Sequence, residues 1–181
     1  KGIKTKPEIM IPLISSVEEF NHQKNIVKKI ARDIESKFNL KIKYSLGTMI
    51  ELPRACLTAD EIAKSADFFS FGTNDLTQTT FGFSRDDIGS FIQNYFDNKI
   101  LKEDPFKTID INGVGKLVKI ATKKGRDINK KIKIGICGEH GGDPKSVYFF
   151  DDIGLNYVSC SPYRVPIARL SAAKNSIRKT M

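Results

Sequence analysis

Apolar residues along this chain alternate between two kinds of pattern. Short continuous runs occur at Ile9 to Ile14, Lys41 to Glu51, Asp67 to Thr73, Lys133 to Cys137 and Leu155 to Cys160. Such runs suit strands covered on both faces, as in parallel sheets. The segments between them repeat every three to four residues, as amphipathic helices do. Ser16 and Glu19 form a capping box ahead of Val27, Ile30, Ala31, Ile34 and Phe38, which predicts a helix closed near Asn39. Thr58 and Glu61 repeat the box before a short helix through about Ala66. Val114, Leu117, Val118 and Ala121 give another helix, stopped at Gly125. A short helix begins near Pro144, and Pro166 opens a last one with Ile167, Leu170 and Ile177 facing inward. The order is five β/α units. The stretch Leu76 to Pro105, rich in Phe, Asp and Gly, is longer than an ordinary connection and predicts a functional excursion in which Phe81 to Asp87 covers a site.

Composition narrows the class. A chain of 181 residues without repeats or low-complexity linkers reads as one domain over 1–181. Lys and Arg outnumber Asp and Glu by 30 to 21, for a net charge of +9. The lysines are scattered through helices and turns without interleaved aromatics, so the charge reads as solvated faces and not as a nucleic-acid surface. No run reaches the length of a membrane-spanning helix, and the first residues lack the apolar centre of a signal peptide. Three cysteines, Cys56, Cys137 and Cys160, show neither disulfide nor zinc-site spacing and imply free thiols in a reducing, cytoplasmic setting. Lys1 is not a methionine, and five β/α units fall short of the roughly 250 residues of an eight-stranded barrel. The expectation is a piece of a larger fold.

Three of the runs end on reactive side chains. Gly47-Thr48-Met49-Ile50-Glu51 ends on a carboxylate, Phe68 to Asp75 on an amide and a carboxylate, and Gly135-Ile136-Cys137-Gly138-Glu139-His140-Gly141-Gly142-Asp143-Pro144 delivers a thiol into a glycine-rich turn. Parallel sheets carry their working residues at such carboxyl ends, where side chains converge on one mouth. Alone, a carboxylate there is simply a solvated strand end, and a lone cysteine a small buried hydrophobe. Three such ends in one chain point to a site, and Gly72, Gly138, Gly141 and Gly142 let backbone amides approach an anionic ligand.

These motifs resemble, nearly end to end, the C-terminal phosphoenolpyruvate/pyruvate-binding domain of the pyruvate phosphate dikinase family. The resemblance is carried by Pro7 to Leu13, Gly47 to Ala55, Phe69 to Gln78, Ile136 to Pro144 and Val158 to Pro166. Related phosphoenolpyruvate-utilising enzymes share the general pattern but differ after the cysteine, where this chain reads Glu-His-Gly-Gly-Asp-Pro. The resemblance implies an α/β fold, a (β/α)8 TIM barrel of the phosphoenolpyruvate/pyruvate type, of which this chain holds about the last five β/α units. It implies the reaction ATP + phosphate + pyruvate = AMP + diphosphate + phosphoenolpyruvate, with a phosphohistidine on a mobile domain. Neither His22 nor His140 sits in that domain's motif, so this chain would host only phosphoryl transfer between the phosphohistidine and pyruvate enolate.

By the same resemblance Glu51 and Asp75 hold Mg2+, Gly72, Thr73, Asn74, Glu51 and Asp75 bind substrate, and Cys137 is the general acid/base at the substrate's methylene carbon. The family's two substrate-clamping arginines lie on earlier strands, and Arg54, Arg85 and Arg164 do not match them, so this chain alone is expected to be inactive. The partners implied are phosphoenolpyruvate or pyruvate and the phosphohistidine domain, with a homodimer expected and neither nucleic acid nor membrane. The parent protein could also be carried into an organelle. Two other readings remain open at this point. One is a metal-dependent aldolase or lyase acting on a pyruvate enolate. The other is a non-catalytic basic binding domain.

Overall fold

A computed structural model describes residues 5–180. Five parallel strands, β1 (Glu8–Ile11), β2 (Ser45–Ile50), β3 (Phe68–Gly72), β4 (Lys133–Cys137) and β5 (Tyr157–Val158), lie side by side in chain order. A doubly wound sheet reverses its order at a switch point, whereas an order that only advances is that of a barrel wall. The register places Leu46, Thr48, Ile50, Phe69, Phe71, Ile134 and Ile136 on one face, all buried. That face meets the helices. The other face carries Glu8, Met10, Gly47, Met49, Phe68, Ser70, Gly72, Lys133, Gly135, Cys137 and Tyr157. Two of its glycines make room for aromatic rings: a Cβ at Gly47 would overlap the Phe68 ring, and one at Gly135 the Tyr157 ring.

This second face is concave. Glu8 on β1 and Lys133 on β4 are three strand spacings apart, about 14 Å on a flat sheet, yet the Lys133 ammonium meets the Glu8 carboxylate at 2.9 Å. The sheet must curl for the two to meet, which is the curvature of a partial barrel.

Helix α1 (Val17–Phe38) carries the expected capping box, with Ser16 accepting from the Glu19 amide, and ends on Asn39 in the left-handed conformation (φ 48°). Its predicted apolar stripe, however, mostly faces away from the core. Ile30, Ile34 and Phe38 are exposed, while Phe20 is buried and Val27 and Ala31 are half-buried. Between β2 and β3 lie two short helices, α2 (Pro53–Leu57) and α3 (Ala59–Ala63). Thr58 caps nothing with its side chain; its hydroxyl donates to the Arg54 carbonyl, so the second capping box does not form. The excursion is partly helical, since α4 (Thr73–Phe81) leaves β3 directly and α5 (Ile92–Asp97) follows a 3-10 turn.

Helix α6 (Val114–Ile128) runs past Gly125, which lies inside it and not at its end. The reason is packing: a Cβ at Gly125 would approach the Phe69 ring to 2.8 Å, so glycine there lets the helix sit down on the sheet. Helix α7 (Pro144–Asp152) is capped by the Asp143 carboxylate, which accepts from the Ser146 amide. The last helix, α8 (Val165–Thr180), turns inward with Ala168, Ser171 and Asn175, not with Ile167, Leu170 and Ile177, which are exposed. Asn175 explains the rotation, because its amide donates to Asp151 at 2.7 Å and Asp152 at 2.8 Å at the end of α7. No described helix is long and apolar enough to cross a membrane.

Candidate active site

Glu51 follows β2 on the concave side and is 1% exposed. Its Oε1 accepts the Leu13 backbone N–H at 2.7 Å. Leu13 holds that position with φ 53°, a left-handed conformation that an L side chain adopts only at a cost. Burial first, and then the neighbouring Asp75 carboxyl, push the Glu51 carboxyl above the usual carboxylate range, against the lowering pull of the Leu13 N–H. Gly72 makes this approach possible, since a Cβ there would overlap Glu51 Oε2.

Beyond Gly72 the chain passes straight into α4, so Thr73, Asn74 and Asp75 form its first turn. Thr73 is fully buried, Asn74 and Asp75 half-buried. The Asn74 Oδ1 is buried with no hydrogen-bond partner among the described residues. An orphaned polar atom at a mouth is a place where a ligand donor or water belongs. Neither Glu51 nor Asp75 pairs with a Lys or Arg among the described residues.

Cys137 ends β4 on the same concave side, with Sγ 3.5 Å from Ser70 Oγ and 3.7 Å from the Phe71 carbonyl. Burial, the largest influence, and the charges of Glu51 and Asp75 push the thiol up, outweighing the lowering by the Ser70 hydroxyl. It is therefore a protonated thiol near neutral pH, a proton donor facing two carboxylates. By contrast, burial pushes the Cys56 thiol up to about 12, inert inside the core.

The six side chains and backbone positions anticipated from sequence, Glu51, Gly72, Thr73, Asn74, Asp75 and Cys137, thus meet at one end of three adjacent strands. Ser70 was missed, because a serine inside an apolar run gives no signal until the register places it beside Cys137. His140 was missed as well. It is fully buried, with Nδ1 2.8 Å from Thr73 Oγ1 and Nε2 2.8 Å from the Pro105 carbonyl. Both ring nitrogens are thus engaged within the fold. The excursion does reach the mouth: Arg85 pairs with Glu139 at 3.2 Å, two residues past Cys137. A neighbouring cleft of about 230 Å³ is lined by Gly138, Glu139, Ser159, Cys160, Ser161 and Arg164.

The donor set fits a hard divalent cation. Burial, and then the Asp75 charge, push the Glu51 carboxyl up, and among the described residues no group of three or more His, Cys, Asp or Glu is arranged to hold a metal ion by itself. A cation between them would take the rest of its shell from substrate oxygens and water, which is the habit of Mg2+.

Comparison with known proteins shows the family to which the chain belongs. The family model described as the PEP-binding domain of PEP-utilising enzymes matches residues 2–177. The chloroplastic pyruvate, phosphate dikinase of Flaveria trinervia is 57% identical over 174 residues, 96% of this chain and 18% of that protein. The pyruvate, phosphate dikinase of Clostridium symbiosum is 56% identical over 176 residues, 97% of this chain and 20% of that protein. The chain thus spans about a fifth of the length of these curated relatives. Among solved structures, a citrate lyase from Burkholderia xenovorans superposes with a TM-score of 0.58 at 13% identity, covering 91% of this chain and 48% of the other. That likeness supports the fold alone.

Proposed function

Because the chain belongs to the family of PEP-utilising enzymes, in its PEP-binding domain, we propose that it is the substrate-binding portion of a pyruvate, phosphate dikinase. The observation that carries the reading is that Glu51 and Asp75, which pair with no Lys or Arg among the described residues, share the mouth with the protonated Cys137 thiol. In this proposal Glu51 and Asp75 hold Mg2+, which supplies positive charge to the enolate and phosphoryl oxygens. Asn74 and the backbone at Gly72 and Thr73 hydrogen-bond the anionic substrate. Phosphoryl transfer depends on positioning and charge neutralisation more than on covalent chemistry.

Towards pyruvate, phosphoenolpyruvate yields its phosphoryl group to a histidine of another domain and becomes the enolate. Cys137 then gives its proton to the methylene carbon, producing the methyl group and leaving a thiolate. In the other direction the thiolate removes that proton again. The raised thiol supports this role, since it keeps the proton in place until a carbanion-like centre claims it. The Ser70 hydroxyl beside Sγ is placed to bond the thiolate.

The aldolase or lyase reading shares the two carboxylates but gives no task to the thiol. Nucleic-acid binding would need a converging basic surface, whereas five lysines and two arginines among the described residues are paired with carboxylates on scattered faces. We also propose a homodimer and a reducing aqueous compartment, for which the three free thiols speak. The test is calorimetric titration of phosphoenolpyruvate into the chain with and without Mg2+. Binding that requires Mg2+ and disappears in both Glu51→Ala and Asp75→Ala is expected; binding indifferent to metal and to both substitutions would overturn the assignment.

A further inference from the structure

His140 takes no part in the chemistry above, yet it is fully buried and both ring nitrogens are engaged. The Pro105 carbonyl can only accept, so Nε2 carries the hydrogen. In the neutral ring Nδ1 is then an acceptor, and the Thr73 hydroxyl donates to it at 2.8 Å in preference to the Cys137 carbonyl at 3.5 Å. One ring thus joins three segments: the first turn of α4, the turn after β4 and the far end of the excursion.

The packing around this contact leaves little slack. Gly138, at φ 126°, lies so close that a Cβ would come within 2.8 Å of Thr73 Oγ1 and 3.1 Å of Asn74 Oδ1. Thr73 opens the turn that presents Asn74 and Asp75, and its hydroxyl is held by the ring. We propose that His140 is a positioning residue: it fixes Thr73, and through it the Asn74-Asp75 turn, against the excursion at Pro105. The proposal rests on the reading that this turn binds substrate and metal. Burial holds the imidazole below its usual range, outweighing the Pro105 carbonyl and the carboxylates of Asp143, Glu139 and Asp104, so the ring stays neutral and keeps this donor and acceptor order at neutral pH. An apolar residue of the same size would leave the Thr73 hydroxyl and the Pro105 carbonyl unpaired, and a protonated ring would reverse the bond to Thr73.

Two amide side chains separate the two bonds. His140→Gln carries an N–H near the position of Nε2 and keeps the Pro105 bond while losing Thr73. His140→Asn places its amide oxygen near Nδ1 and keeps Thr73 while losing Pro105. Hydrogen exchange is read at residues 77–79, the first amides bonded inside α4, and at 106–108, directly after the excursion's end at Pro105. His140→Gln is expected to speed exchange at 77–79 by at least tenfold, with Mg2+-dependent phosphoenolpyruvate affinity falling at least tenfold. His140→Asn is expected to speed exchange at 106–108 instead and to lose no more than about threefold in affinity. If either variant unfolds, Thr73→Val, which removes only the hydroxyl, is expected to reproduce the Gln result. Equal effects of Gln and Asn on both segments, or no effect of Gln or Val at 77–79, would overturn the inference. A parent chain that binds no phosphoenolpyruvate would instead strike the proposed function, and the exchange pattern would still decide the role of His140.

Discussion

At the scale of single residues, the site is built on close approach. Gly72 is the clearest case, because its missing Cβ is the space the Glu51 carboxylate occupies. Gly72→Ala is expected to displace that carboxylate, abolish Mg2+-dependent binding and cost about 1–3 kcal/mol of stability by overpacking; denaturant titration and calorimetry measure both. Glu51 has a signature in pH. Its carboxyl is pushed up in the folded chain by burial and Asp75, so the folded state keeps a proton that the unfolded chain loses near pH 4.3. The stability tied to this group is therefore full below that pH and is lost as pH rises through the raised folded value. Glu51→Gln removes the loss and should raise the melting temperature at neutral pH by about 2–4 °C, the equivalent of about 1 kcal/mol in a domain of this size. Added Mg2+ should stabilise the parent and not the variant. A lower melting point for Glu51→Gln without metal would contradict the account.

Periodicity located the elements better than it oriented them. The capping box of α1 and the strand ends at Glu51 and Cys137 were legible because each depends on neighbours in sequence. The inward faces of α1 and α8 were not. Hydrophobicity pointed to Ile30, Ile34 and Phe38, and to Ile167, Leu170 and Ile177, all of which are exposed here. In α8 the polar Asn175 turns inward to two carboxylates of α7, and the ion pairs of Lys179 with Asp151 and Asp152 follow it. Asn175→Ala should therefore cost about 2 kcal/mol, as expected for leaving buried polar groups unpaired. Ile177→Lys should change stability by less than about 0.5 kcal/mol. Thermal unfolding of the two variants checks the pair, and a reversed order would show that α8 faces the core with its isoleucines. The missed α4 has a related cause: the apolar run reads as a strand through Thr73, and only the contacts of Thr73 with the turn after β4 show that a helix starts there.

For the molecule as a whole, curvature matters most. The Glu8–Lys133 pair spans four strands across the concave face, and being largely exposed it records the curl more than it stabilises it, with a worth of about 0–1 kcal/mol. β1 and β5 each pair along one edge only among the described residues. Unpaired edges flanked by exposed apolar side chains such as Ile9, Met10, Ile30 and Leu170 favour association. Size exclusion with light scattering is expected to show a dimer or larger species at micromolar concentration, with a strictly monomeric chain counting against this. Arg54, Arg85 and Arg164 are engaged or placed elsewhere: Arg54 donates to the Ser15 carbonyl, Arg85 pairs with Glu139, and Arg164 lines the adjoining cleft.

The sequence by itself determined the alternation of strands and helices, their parallel class, and the placement of Glu51, Gly72, Thr73, Asn74, Asp75 and Cys137 at or just beyond strand ends. Those features follow from local period and local capping, which need no distant partner. Tertiary structure alone decided which helix faces turn inward, how far the sheet curls, and that Ser70 and His140 stand beside the thiol and the amide turn. Such facts are set by which segments, 30 to 70 residues apart, compete for the same buried hydrogen bonds and the same space, as Thr73, Pro105 and His140 do, and no pattern along the chain records the outcome of that competition.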